Sequence, residues 1–152
     1  MKKIILFLSL FLISQCGFEP VLISKDSNFF INEIKYNQKK LSGIINNGLK
    51  VYQNRSAVDE SYNLEIAITE KKKITLKDSK GDPLNFRINI KVELKVFQDK
   101  ELIFTKLYSE STDYKNTGKK FDLIQREKSL KNSLVSLITK TLLMIYIQLD
   151  DN

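Results

Sequence analysis

The residues that could carry chemistry in this chain are few, and the most informative is one cysteine. Cys16 is the only thiol and the chain has no histidine, which excludes Ser-His-Asp, Cys-His and histidine-based zinc arrangements. Aspartates and glutamates fall mostly in turns, at the C-terminus (Asp150, Asp151) and at strand positions predicted to face water. The turn at Gly81 resembles no phosphate-binding loop. We therefore expect no enzyme activity, no metal site and no cofactor.

Cys16 stands at the end of a segment that has the three parts of an export signal. Lys2 and Lys3 form a basic start, an apolar run covers residues 4–13, and two polar residues precede the cysteine. The apolar run is ten residues long, whereas a bilayer-spanning helix needs roughly 20. A cleaved signal is therefore favoured over a permanent transmembrane helix.

Cleavage before Cys16 would free its amine and leave the thiol available for lipid attachment. We predict a signal peptide over 1–15, acyl chains on Cys16 and an acylated tether over 16–27, because several acyl chains anchor a protein stably where one does not. Gln15 departs from the Gly, Ala or Ser usual before a lipidated cysteine, and Gly17 fits onward export to an outer membrane. The alternative is a cleaved secretory signal with an incidental cysteine.

The charge balance points to an anionic partner without identifying it. The formal charge is +7, and loss of Lys2 and Lys3 lowers it to +5. A composition rich in Lys, Asn and Ile, with only three arginines, fits biased coding equally well. Nucleic acid is not expected, because an exported protein rarely meets it and the chain has no nucleic-acid motif.

The first part of the mature chain predicts a strand followed by a surface helix. Aromatic and β-branched residues over 29–36 favour the strand. Its predicted inward face holds Phe30, Ile34 and Tyr36. The apolar face of the helix holds Leu41, Ile44, Ile45, Gly48, Leu49 and Tyr52. We expect Asn37 to be the N-cap and Gly48 to allow close packing.

Three more strands and a long helix complete the predicted order. Alternation over 64–76 predicts one long strand whose middle leaves the core or bulges, and the turn-rich 78–83 leads to a third strand over 86–96. A fourth strand over 102–114 and a last helix over 121–149 follow. The predicted seam of that helix holds Ile124, Leu130, Leu134, Leu137, Ile138, Leu142, Ile145 and Leu149.

This β-α-β-β-β-α order predicts an α+β, two-layer sandwich. The four-stranded sheet is mixed but mostly antiparallel, both helices lie on one face, and strand one runs parallel to strand two. The length suits a single domain over 28–152. Near its end the last helix is apolar nearly all round, so Leu143, Met144 and Ile147 are candidates to face a partner.

The topology brings the basic residues of two turns to one end of the sheet. Lys71, Lys72 and Lys73 lie near the same end. Such a group could hold phosphates or other anionic lipid head groups, the alternative being loosely solvated side chains. The candidate anionic-lipid contacts are Lys77, Lys80, Lys115, Lys119 and Lys120.

The start Cys16-Gly17-Phe18-Glu19-Pro20, together with the length, the element order and the lack of histidine, resembles the lipopolysaccharide-assembly lipoprotein family (LptE). The resemblance implies a two-helix, four-stranded sandwich anchored in the outer membrane by N-terminal acyl chains and facing the periplasm. It also implies a non-enzymatic accessory that plugs an outer-membrane β-barrel, helps it assemble and contacts lipopolysaccharide. None of the candidate lysines is carried over from the family.

Three other functions remain open at this point. The nearest is an accessory lipoprotein of another envelope lipid-trafficking system, such as a phospholipid transporter. A cell-wall hydrolase is the enzymatic alternative, and a purely structural anchor is the third. Copurification with a large β-barrel favours the assembly role, whereas copurification with inner-membrane transporter subunits favours the first alternative.

Overall fold

The computed structural model describes residues 29–53 and 60–150, and the side chains of 30–53 and 61–144. Four strands and two helices alternate in the predicted β-α-β-β-β-α order. They are strand β1 (Phe29–Tyr36), helix α1 (Ser42–Gln53), strands β2 (Glu60–Lys77), β3 (Pro83–Gln98) and β4 (Glu101–Lys115), and helix α2 (Lys120–Asp150).

The strands form one sheet in the order β1-β2-β3-β4. β1 runs parallel to β2, and the other two neighbouring pairs are antiparallel. The helix between these two strands carries the chain back to the end of the sheet where β1 began, which explains the parallel first pair. The predicted α+β sandwich, with a mixed and mostly antiparallel sheet, is confirmed.

The clearest sequence pattern in the chain forms the centre of the core. Every second residue of β3 between Phe86 and Val96 is buried, and the residues between them are at least partly exposed. One face of the sheet is therefore covered by the helices, as the alternation of apolar and polar residues requires. The buried β3 residues are Phe86, Ile88, Ile90, Val92, Leu94 and Val96.

The predicted inward face of β1 is wrong at its beginning. The register with β2 shifts between Ile31 and Glu33, which leaves one extra residue in β1. Because such a bulge reverses the alternation of side chains, Ile31 is fully buried in the core, while Ile34 and Tyr36 pack against the core from beyond the bulge. Phe30 is not part of the core cluster.

Helix α1 presents the predicted apolar face, but Asn37 does not cap it. Leu41, Ile45, Leu49 and Tyr52 are buried. The Asn37 side chain instead accepts a hydrogen bond from the Ile68 N–H (2.8 Å) and donates one to the Ile68 C=O (3.1 Å). Asn37 thus extends the pairing of β1 with β2 past the end of the strand, five residues before α1 begins at Ser42.

The two helices approach closely at Gly48, as predicted. A Cβ atom at this position would lie 2.7 Å from Cγ2 of Thr139 in α2. Real Cβ atoms do not come that close to another carbon, so the observed packing depends on the missing side chain.

The predicted seam of α2 is partly wrong. Leu134, Ile138 and Leu142 are buried as expected, together with Val135 and Thr139, which the pattern missed. Ile124 and Leu137 are 53% and 48% exposed, because the helix presents its 134-135-138-142 stripe to the sheet and to α1. The side chains of Ile145 and Leu149 lie outside the described residues. Within residues 29–53 and 60–150, neither helix combines the length and apolar character needed to cross a bilayer.

Strand β2 is much longer than the helix beside it. Eighteen residues of strand extend for about 60 Å, whereas the twelve residues of α1 extend for about 18 Å. β2 stays in register with β3 as far as Ile74 and shows its irregularity only beyond that residue. The two alternatives for the middle of β2 are therefore decided: the strand does not bulge there, and it leaves the core from Thr69 onward.

Candidate functional site

The turn between β2 and β3 is held by one aspartate. Asp78 Oδ1 accepts hydrogen bonds from the backbone N–H groups of Lys80 (2.9 Å) and Asp82 (2.8 Å). Gly81 has a φ of +90°, a conformation that glycine adopts without strain. The dense turn signal of the sequence therefore forms an ordered tip that presents Lys77 and Lys80 to solvent.

The loop between β4 and α2 is tied to this tip by Asn116. Its side-chain amide donates to the Pro83 C=O (2.9 Å) and its backbone N–H donates to the Leu84 C=O (2.8 Å). Gly118, at a φ of +71°, donates back to Asn116 Oδ1. These bonds hold the loop against the start of β3, at the same end of the sheet as the β2–β3 turn.

All five candidate lysines therefore lie at one end of the sheet, which we call the cationic end. It consists of Lys77, Lys80, Lys115, Lys119 and Lys120, and every one of them is exposed. Among the described residues, no ion pair joins any of these ammonium groups to a carboxylate. Asp78, Asp82 and Asp122 lie close by in sequence, so five positive charges stand against three negative ones and the end remains cationic.

Lys72 is not available to a ligand in the way that its neighbours are. It points to the helix-covered side, forms an ion pair with Glu127 of α2, and lies 4.0 Å from the centroid of the Phe86 ring. The hydroxyl of Tyr114 donates to the same carboxylate at 2.6 Å. Burial alone would raise the pKa of Glu127, but the hydrogen bonds from Lys72 and Tyr114 outweigh it and hold that pKa below its usual value.

These polar contacts, with the Lys131–Glu70 ion pair, fasten the first half of α2 to β2 and β4. They leave a cavity of about 310 Å³ between α2 and the residues just before α1. Its lining combines apolar Leu41 and Ile124 with the side chains of Lys40 and Lys128. Glu127, Lys131 and Asn132 complete the lining, so the cavity offers a small apolar surface among three ammonium groups, one carboxylate and one amide.

Exposed apolar side chains occur at the cationic end, and the sequence reasoning missed them. Ile74 and Leu76 of β2 and Leu84 of β3 are each about half exposed, and Phe121 at the start of α2 is 71% exposed. The cause is the length of β2, since α2 is tied to this strand through Glu70 and Lys72, and Ile74 and Leu76 lie beyond these contacts. The sequence contained a signal for them. Ile74 and Leu76 continue the alternation of the buried β2 residues in a strand that is longer than the neighbouring helix.

The three residues proposed to face a partner are not alike. Leu143 is partly buried and packs against the core, close to Gly48 of α1, so its side chain is occupied within the domain. Met144, one residue further on, is 53% exposed and remains a candidate. The side chain of Ile147 lies outside the described residues.

The predicted lipid-attachment site and the N-terminal boundaries lie outside the described residues. This applies to Cys16, the signal peptide over 1–15 and the tether over 16–27. In the described part of the chain, no three acidic or cysteine side chains converge in a group that could hold a metal ion.

Comparison with known proteins finds similarity in fold only. No protein-family model and no curated protein matches the sequence. The structure of rare lipoprotein B from Shewanella oneidensis is similar at a TM-score of 0.62 and 12% identity, covering 80% of this chain and 98% of that one. A minor lipoprotein from Acinetobacter baumannii is similar at a TM-score of 0.59 and 12% identity, with 78% and 89% covered.

A third similar structure comes from another bacterium. Lipoprotein B from Nitrosomonas europaea is similar at a TM-score of 0.54 and 9% identity, covering 84% of this chain and 88% of that one. All three similarities extend over most of both chains, so they concern the whole sandwich and not one shared motif. The chain has the fold of these bacterial lipoproteins.

Proposed function

We propose that this chain is an outer-membrane lipoprotein that plugs and helps to assemble the β-barrel translocon for lipopolysaccharide, and that assists lipopolysaccharide insertion at the cell surface. Acyl chains on Cys16 anchor it, the folded domain faces the periplasm, and no enzymatic step is involved. The fold shared with bacterial lipoproteins supports the anchored part of this proposal. The resemblance of the mature N-terminus supports the transport role.

The observation that carries the proposal is the chemistry of the cationic end. Lipopolysaccharide is an amphiphile with phosphates beside acyl chains, and this end offers exposed lysines beside exposed Ile74, Leu76 and Phe121. Ammonium groups attract phosphates, and the apolar side chains favour contact with acyl chains over contact with water. Asp78 and Asn116 hold the two loops at this end in place, so a ligand would meet an ordered surface.

Charge reversal at the cationic end tests the lipid contact. A variant of the full chain with Lys77, Lys80, Lys119 and Lys120 each changed to Glu should bind lipopolysaccharide at least tenfold more weakly in detergent solution, because attraction becomes repulsion. The difference should shrink at high salt, since screening weakens interactions between exposed charges. The matched control changes four other exposed lysines to Glu, namely Lys39, Lys50, Lys91 and Lys100. Equal binding by both variants would refute the assignment of the site.

Affinity purification from detergent-solubilised membranes tests the partner. Recovery of a large outer-membrane β-barrel is the expected result. Recovery of inner-membrane transporter subunits would instead support the role in another lipid-trafficking system.

Deletion of the protein should lower the amount of lipopolysaccharide at the cell surface. An unchanged amount would leave the structural anchor as the remaining function. Intact-mass analysis should find acyl chains on Cys16, and a bare thiol would contradict the anchor.

A further inference from the structure

The outer edge of β4 is a long row of backbone groups that the described part of the chain leaves without a neighbouring strand. β4 pairs with β3 on one side only and ends the sheet. Its fifteen residues, Glu101–Lys115, include no glycine and no proline. Edges of this kind template the addition of another strand unless their charges oppose it. The charges of β4 therefore decide what can pair there.

The charges of β4 are complementary to those of a second copy of β4 that runs in the opposite direction. If two copies of β4 pair antiparallel with complete overlap, the two-fold axis passes Tyr108, and residues equally far on either side of it face each other. Lys106 then faces Glu110 of the second copy, and Glu101 faces Lys115 of the second copy. Symmetry repeats both pairs, and a slip of one residue removes all of them.

The remaining charge on β4 does not disturb this register. Asp113 is bound by its own Arg87, whose Nε and Nη2 donate to the two carboxylate oxygens at 2.6 and 2.8 Å. In the overlapped register Asp113 faces Ile103 of the second copy, so no two like charges oppose each other. The register that forms the longest ladder of backbone hydrogen bonds is thus also the one in which opposite charges face each other.

Uncharged residues of β4 fit the same interface. Leu102, Ile103 and Leu107 are each about half exposed and would lose water contact when a strand is added beside them. Tyr108 faces the helix-covered side opposite Val92, and its buried hydroxyl has no hydrogen-bond partner among the described residues. At the two-fold axis the partly buried ring of Tyr108 would face the same residue of the second copy.

We propose that β4 is a homodimerisation strand, through which two copies join edge to edge into a continuous eight-stranded sheet. The contact goes beyond the proposed lipid role and uses only Lys115 of the cationic end. It concerns copies outside a barrel, because a joined pair cannot take the place of a single plug. Its specificity comes from the paired charges of Lys106 and Glu110, and its affinity comes from the backbone ladder and the covered apolar side chains.

A charge swap tests the pairing. Sedimentation equilibrium of the full chain in detergent should show a reversible dimer. Lys106→Glu should weaken that dimer roughly tenfold or more, because two attractive cross-strand pairs become repulsive, and Glu110→Lys should do the same. The double variant Lys106→Glu/Glu110→Lys restores opposite charges across the interface and should recover most of the affinity.

The control is Lys91→Glu, an exposed change of the same kind on β3, which should leave the dimer unchanged. A protein that stays monomeric over the accessible concentration range would overturn the proposal. So would a dimer that all three Lys106 and Glu110 variants leave equally strong, since that dimer must use another surface. A double variant no better than the single ones would equally contradict the register.

Discussion

Adding one methyl group at Gly48 tests how tightly the two helices are packed. In an exposed helix interior, Gly→Ala stabilises a protein by about 0.5–1 kcal/mol, because alanine loses less backbone entropy on folding. At Gly48 the new Cβ would lie 2.7 Å from Thr139 Cγ2. One of the two groups must move, and such overpacking costs about 1–3 kcal/mol.

Thr139 cannot easily turn away from the added methyl group. It is buried, its β-branched side chain favours few rotamers in a helix, and its hydroxyl donates to the Val135 C=O at 2.8 Å. We therefore expect Gly48→Ala to lower the free energy of unfolding by about 1 kcal/mol, the overpacking cost less the gain in helix propensity. Urea unfolding, followed by circular dichroism under fixed conditions, measures this change.

Two further variants separate the contact from helix propensity. Gly43 lies in the same helix, and a Cβ there would meet nothing within 4 Å, so Gly43→Ala should not destabilise the protein. Gly48→Ala/Thr139→Ser removes the opposing Cγ2 atom and should recover the stability lost by Gly48→Ala, through a coupling of about 1–2 kcal/mol. If Gly48→Ala proves as stable as Gly43→Ala, the close approach of the helices is refuted.

Two other predictions follow from partly buried polar contacts. Asn37→Ala removes both hydrogen bonds to Ile68 and should lower the free energy of unfolding by about 1–3 kcal/mol in urea titrations, whereas an unchanged midpoint would mean that water replaces them. The contacts of Glu127 lower its pKa below the ordinary 4.5. The stability that they add is therefore present above pH 4.5 and is lost as the pH falls through the lower pKa of the folded protein. The stability difference between wild type and Glu127→Gln should thus be about 1–2 kcal/mol near pH 7 and shrink in acid, and a difference independent of pH would contradict the ion pair with Lys72.

The attachment of α2 also bears on the proposed function. Its second half packs through buried apolar side chains, whereas its first half is fastened by Glu127, by Tyr114 and by the Lys131–Glu70 pair. Polar fastening leaves Phe121 and Ile124 free of the core and exposed near the lysines. The same contacts that hold the helix in place therefore keep apolar surface available at the cationic end.

The strands and helices could be predicted because apolar residues recur along each of them at the spacing of a strand or of a helix. The two-residue alternation of β3 and the helical spacing of α1 each bury one face, and burial of that face outweighs local preferences. β1 shows where this reasoning fails. Its bulge beside Ile31 arises from the match with β2, so the pattern of β1 alone could not reveal that Phe30 leaves the core.

Asn37 shows a second kind of failure. Its position before a helix suggested a cap, which is a local contact, but its partner Ile68 lies 31 residues further along the chain. Amide side chains satisfy whichever backbone groups the fold brings near, and the end of β1 brings the edge of β2. Local rules cannot choose between such partners.

By itself, the sequence determined the order of the elements, the parallel first pair and the gathering of the lysines at one end, because periodicity, turn residues and the handedness of the crossover suffice for these. Only the tertiary structure decided which lysines form ion pairs within the domain, as Lys72 does with Glu127, and which apolar side chains lie beside the unpaired lysines. The reason is physical: exposure of Ile74 and Leu76 depends on how far the helices cover β2, and self-complementarity of β4 matters only once that strand is the edge of the sheet.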